Sequence, residues 1–69
     1  MKVEYDPKRD LLYVWFAAPG TQAARTEIVS PGVHVDLDEE GRMVGLEVLD
    51  ARSMMGDDPK VEFALPRSA

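Results

Sequence analysis

Apolar residues recur at every second position through much of the chain. "VHVDLD" places Val33, Val35 and Leu37 on one side and His34, Asp36 and Asp38 on the other. "MVGLEVL" answers with Val44, Leu46 and Val48. Strict alternation of this kind is the mark of a half-buried strand. Pairing Leu37 with Val44, Val35 with Leu46 and Val33 with Val48 predicts a hairpin whose loop is Glu39 to Arg42. Gly41 then stands where such loops need a left-handed residue. At the N-terminus "KVEY" alternates as well. Pairing Val3 with Val14, Tyr5 with Leu12 and Asp6 with Leu11 predicts a second hairpin, with Pro7 to Asp10 as its loop.

Leu11 to Ala17, "LLYVWFA", is apolar on both faces: Leu12, Val14 and Phe16 on one, Leu11, Tyr13, Trp15 and Ala17 on the other. A strand of that kind is covered on both sides. "APGTQAA" reads as a loop, and "RTEIVS" as a strand of weaker signal. Pro31-Gly32 fits the centre of a type II turn, which matches hairpin twist poorly, so the pattern leaves either a hairpin or a kinked strand. "DARSMMG" predicts a helical turn with Asp50 as N-cap and Gly56 as its stop. "KVEFAL", after the "DDP" break, alternates again as a short strand or an arm. The expected class is α+β and mainly β. It consists of a small antiparallel sheet of four to six strands, a hairpin meander, with one short C-terminal helical turn. Residues 1–56 form the β domain and 57–69 a C-terminal arm.

A domain of 69 residues with no cysteine is marginal on its own and has no disulfide to support it. The surplus apolar face of Leu11 to Ala17 is therefore expected to meet a second subunit or the C-terminal arm, and a homodimer is predicted, with Leu11, Tyr13, Trp15 and Phe63 at the interface. Core packing is an equal reading for Tyr13 and Trp15. The net charge of −5 disfavours nucleic acid and anionic membrane, whose affinity rests on Lys and Arg. It suits a basic protein partner or a cation, with solubility as the simpler reading. "KVEY" is no signal peptide, no apolar run approaches a membrane span, and the expected location is cytoplasmic.

"DLDEEGRMVGLE" has calcium-loop spacing: Asp36, Asp38 and Glu40 at positions one, three and five, Gly41 at six, Glu47 at twelve. A calcium loop of this type needs a helix on each side. Pro31-Gly32 precedes it, and both of its arms alternate at period two. The segment is read as an acidic hairpin, and Asp36, Asp38, Glu40 and Glu47, with the single His34, remain candidates for a metal or calcium module. One histidine is thin support for a zinc site. His34 opposite Glu47 reads more simply as a cross-strand pair. No nucleophile elbow and no phosphate-cradling glycine loop is present, so no catalytic residue and no cofactor is predicted.

"MKVEYDPKRDLLYVWF" followed by "TEIVSPGVHVDLDEEGRMVGLEVLDA" resembles a family of small bacterial and archaeal proteins, domain of unknown function 2283. The resemblance runs from Met1 to about Ala51. It is most specific at "PGVHVDLDEEG" and "VGLEVLDA", with Met43 a mild departure. It implies a compact antiparallel β domain in which "DLDEEG" is a hairpin turn, and it brings no activity, cofactor or catalytic residue. Some proteins of this kind resemble antitoxin or regulatory partners of neighbouring genes. The expected role is thus a homodimeric interaction or regulatory module binding a basic partner.

Overall fold

The computed structural model describes residues 1–56. The predicted arm at 57–69, its short strand and Phe63 lie outside the described residues. Five strands form one antiparallel sheet: β1 (Lys2–Asp6), β2 (Leu11–Trp15), β3 (Arg25–Ser30), β4 (Val33–Leu37) and β5 (Met43–Leu49), followed by the helix α1 (Ala51–Met55). The order across the sheet is β1-β2-β5-β4-β3. Strands β3 to β5 are a meander. The β1–β2 hairpin docks on the far side of β5, so the meander is interrupted between β2 and β3.

The first hairpin has the register expected from its alternation, with Val3 opposite Val14, Tyr5 opposite Leu12 and Asp6 opposite Leu11. Asp6 opens its loop by accepting from the Lys8 amide at 2.9 Å, an Asx turn. The second hairpin pairs Val33 with Val48, His34 with Glu47 and Val35 with Leu46. Leu37 departs from expectation: it stands opposite Met43, not Val44, because a bulge shifts the ladder after Asp36. The bulge follows from the turn. Gly41 donates to the Asp38 carbonyl at 3.0 Å and has φ 84, a tight turn closed by a left-handed glycine. The displaced Val44 turns its carbonyl toward β2, where it accepts from both Phe16 (2.9 Å) and Ala17 (3.1 Å). That shared acceptor ends β2 at Trp15, two residues earlier than its composition predicts.

Pro31-Gly32 is a hairpin turn, not a kink. Gly32 takes φ 78, and the β3–β4 ladder slips between Ile28 and Ser30. The slip reconciles a type II turn with the twist of its strands.

The core lies on one face of the sheet. Two rows of residues cross it: Tyr5, Leu12, Val48 and Val33, then Val3, Val14, Leu46 and Val35. Leu12, Val35, Leu37, Val44 and Val48 are buried. Burial of each such side chain is worth about 1.5–3 kcal/mol. Helix α1 covers part of this face by placing Ala51 against Leu12 and Val48, with Val14 beside them.

Asp50 does precede the helix, but it does not cap it. Its φ of 51 is left-handed and its side chain makes no capping bond. The cap comes from Asp10, in the first hairpin loop. The Asp10 carbonyl accepts from Ala51 N at 2.9 Å, and its carboxylate accepts from Arg52 N at 3.1 Å. The helix start is thereby tied to the β1–β2 loop. Gly56, at φ 84, stops the helix by donating to the Arg52 carbonyl at 2.9 Å.

Candidate functional site

The opposite face carries the chain's polar chemistry. Two rows run across all five strands. Glu4, Tyr13, Glu47, His34 and Ile28 are successive partners in the first; Lys2, Trp15, Gly45, Asp36 and Thr26 are successive partners in the second. Period two in each strand places these residues together, since every second side chain shares a face.

Gly45 organises the second row. A Cβ at this position would fall on the Tyr13 ring. The absence of one lets the ring lie flat across β5, so that Tyr13 reaches from β2 to β4. Its hydroxyl donates to Asp36 Oδ2 at 2.5 Å. Asp36 Oδ1 accepts from Thr26 Oγ1 at 2.5 Å, which extends the network to the β3 edge. Trp15 packs on Tyr13 with ring centroids 4.6 Å apart and planes tilted by 55°, within the favourable range for aromatic pairs. Trp15 Nε1 donates to Glu4 Oε1 at 2.5 Å. In the first row His34 Nδ1 lies 3.4 Å from Glu47 Oε1. An open groove beside these residues is lined by Glu4, Tyr5, Asp6, Leu11, Tyr13 and Trp15.

Burial pushes the Tyr13 phenol well above the usual tyrosine range, and its bond to Asp36 and the charges of Asp36 and Glu47 add to the effect. Tyr13 is therefore a fixed proton donor at neutral pH. It is poorly suited to act as a base. Asp36 in turn has both oxygens engaged within the chain.

The acidic hairpin is organised differently. Asp38 Oδ1 accepts from the amides of Glu40 (2.9 Å) and Arg42 (2.8 Å), and Arg42 Nε lies 3.2 Å from Asp38 Oδ2. The Arg42 amide is the chief cause that holds the Asp38 carboxyl below the ordinary aspartate range. Glu40 lies 3.4 Å from Arg42 Nη2. The five candidate ligands thus fall into three local sets: Asp36 with Tyr13 and Thr26, Asp38 and Glu40 with Arg42, and Glu47 with His34. Among the described residues no group of three or more His, Asp or Glu is arranged to hold a metal ion. Asp38 does not join Asp36 and Glu47 on the polar face, as straight alternation predicts, because its side chain folds into its own turn.

Leu11, Tyr13 and Trp15, expected at an interface, share the groove face and are half-buried. Three participants escape a reading by pattern. Glu4, Thr26 and Gly45 look like an ordinary charged strand residue, an ordinary edge residue and a strand glycine. The available signal is Gly45 itself, since a glycine inside a strand marks close approach by something else.

A family model described as protein of unknown function (DUF2283) matches residues 2–52. The match covers most of the chain, and the protein belongs to this family. Neither the curated proteins nor the solved structures yield a match. No described helix is long and apolar enough to cross a membrane.

Proposed function

With membership of that family as the premise, we propose that the protein is a small interaction module that binds a basic segment of a partner protein on its Tyr13–Trp15 face. The observation that carries this reading is the tilted aromatic pair set beside carboxylates. Trp15 and Tyr13 offer π faces to a lysine or arginine side chain, an attraction of about 0.5–1 kcal/mol at exposed sites. Glu4 and Asp6 line the same groove, and Glu47 stands next to Tyr13 in its row. The net charge of −5 adds long-range attraction for a basic partner. A regulatory, antitoxin-like role in the cytoplasm is the biological setting that suits such a module, and a cysteine-free chain suits a reducing compartment. No observation favours the cation-binding alternative, since among the described residues no three of its candidate ligands converge on one point.

Trp15 is the single tryptophan, so its fluorescence reports on the groove directly. Titration with a short oligo-arginine peptide at low salt is expected to give a saturable change in emission. The change should fade toward about 0.5 M salt, where charges are screened within a few ångströms. Glu4→Gln is expected to weaken it. An emission that stays constant up to roughly millimolar peptide, far beyond the micromolar range of specific binding, would overturn the reading.

A further inference from the structure

The sheet ends on one side at β3, and that edge is unlike the other. Every residue of β3 is exposed. Ile28 and Val29 are 72% and 64% exposed, more than any other large apolar side chain within the five strands. The edge bears no lysine or proline within the strand, two of the common devices that keep an edge from pairing, and its bulge lies at the far end, between Ile28 and Ser30, leaving Arg25 to Glu27 regular. At the other edge, β1 carries Lys2, and its apolar Val3 and Tyr5 are much less exposed, at 37% and 41%.

We propose that β3 is the self-association edge of the protein, pairing antiparallel with β3 of a second copy about a twofold axis at Thr26. The choice of occupant and of register follows from the residues. In this register Arg25 of each copy stands opposite Glu27 of the other, twice over. Opposite charges directly across a ladder are favourable, and like charges are not. The register one step along, centred on Glu27, sets two glutamates face to face and is disfavoured for that reason. Continued past the start of β3 into the loop before it, the Thr26-centred register also brings Ala24 opposite Ile28 and Ala23 opposite Val29, so the exposed aliphatics meet small apolar residues from the partner. A twofold interface must be complementary to itself, and "AARTEIV" has this property about Thr26. Within one chain, Arg25 Nε lies 3.4 Å from Glu27 Oε1 along the strand, a solvent-exposed pair that can be exchanged for the cross-strand one at little cost.

The resulting assembly is a continuous ten-stranded sheet. Thr26 reaches Asp36 and hence Tyr13, so the aromatic faces of the two copies lie on the same side of it. The dimer is independent of the groove reading above and presents two grooves if that reading holds.

The test uses the full-length chain and two exposed charge swaps. Arg25→Glu alone and Glu27→Arg alone each place like charges across the axis. Sedimentation equilibrium is expected to show each variant self-associating roughly tenfold or more weakly than the native chain, from two pairs reversed in sign. Mixing the two variants restores complementary pairs, so the mixture is expected to form a heterodimer about as tightly as the native protein forms its homodimer. Circular dichroism checks that both variants retain the sheet. Hydrogen exchange gives a readout that needs no substitution: amides of Arg25–Ser30 should gain protection as the protein concentration rises. The proposal fails if the native chain stays monomeric up to about millimolar concentration. It also fails if the swaps leave association unchanged, if the mixture does not recover it, or if protection accrues at β1 or around Trp15 and not at β3.

Discussion

Gly45 is a residue whose importance lies in what it lacks. The Tyr13 ring occupies the space a side chain would fill, and the hydroxyl beyond it is held by Asp36. Gly45→Ala forces the ring away, and the polar row comes apart with it. The expected loss is about 1–3 kcal/mol, the usual cost of overpacking, read as a lowered urea midpoint with an unchanged slope. Tyr13→Phe keeps the ring and removes the hydroxyl. It should cost about 1 kcal/mol, the net worth of one hydrogen bond, since Asp36 retains Thr26 as a donor. The two variants also differ in alkali. The folded Tyr13 phenol holds its proton more tightly than a free tyrosine, which titrates near pH 10. A group raised in this way contributes stability that is fully present below its unfolded pKa and is lost as pH climbs above it. Native protein should therefore lose stability above pH 10. Tyr13→Phe should remove part of that loss, with the remainder carried by Tyr5, which its bond to Asp10 also raises. Equal alkaline slopes for native protein and Tyr13→Phe would contradict the assignment.

Elements in this chain are legible wherever short-range pattern sets them, and obscure wherever a distant residue does. The alternation of "VHVDLD" against "MVGLEVL" is enough to place β4 and β5 and most of their register. It does not reveal that Val44 is the extra residue of a bulge, because the bulge answers both to Gly41 in the turn and to Phe16, just past the end of β2. The second neighbour of β2 is similarly hidden: nothing in the local pattern of β2 says that it pairs with β5 and not β3. The helix cap is the clearest case. Asp50 has the right residue type and the right place, yet Asp10, 42 residues away, holds the Arg52 amide. The substitutions that test this are Asp10→Ala, Asp10→Asn and Asp50→Gly. Asp10 sits at φ 53 and also accepts from the Tyr5 hydroxyl at 2.7 Å. Asp10→Ala loses both the acceptor and a side chain tolerant of that backbone, and is expected to cost about 1–2 kcal/mol or slightly more. Asp10→Asn keeps an oxygen and tolerates the same φ, so its cost should be well under half as large. Asp50→Gly relieves a left-handed backbone and removes no cap. It should be neutral or stabilising by a few tenths of a kcal/mol, about the reverse of an ordinary N-cap substitution. Urea denaturation of the three variants orders them, and an Asp50→Gly loss equal to that of Asp10→Ala would return the cap to Asp50.

At the scale of the molecule, composition and charge are fully legible and the division of labour between the two faces is only half so. Apolar residues on both sides of β2 predict two covered faces. The second side is instead aromatic with polar tips, which lets Tyr13 and Trp15 be half-buried while their hydroxyl and indole nitrogen bind Asp36 and Glu4. Much of the apparent apolar surplus is thus absorbed within one chain, and the exposed aliphatics that remain most prominent are Ile28 and Val29 at the β3 edge. A dimer built there couples folding to concentration. Mass action stabilises a folded dimer over unfolded chains by about 1.4 kcal/mol per dimer for each tenfold rise in total protein, once dimer dominates. The native chain should therefore show a thermal midpoint that climbs when protein is raised from about 1 to about 100 µM. Arg25→Glu, which breaks the pairing without touching the core, should show a nearly constant midpoint over the same range and match the native value at the dilute end. Parallel slopes in the two proteins would place the concentration dependence at some other surface, and a flat native profile would leave the single sheet to stand on the buried residues around Leu12, Val44 and Val48 alone.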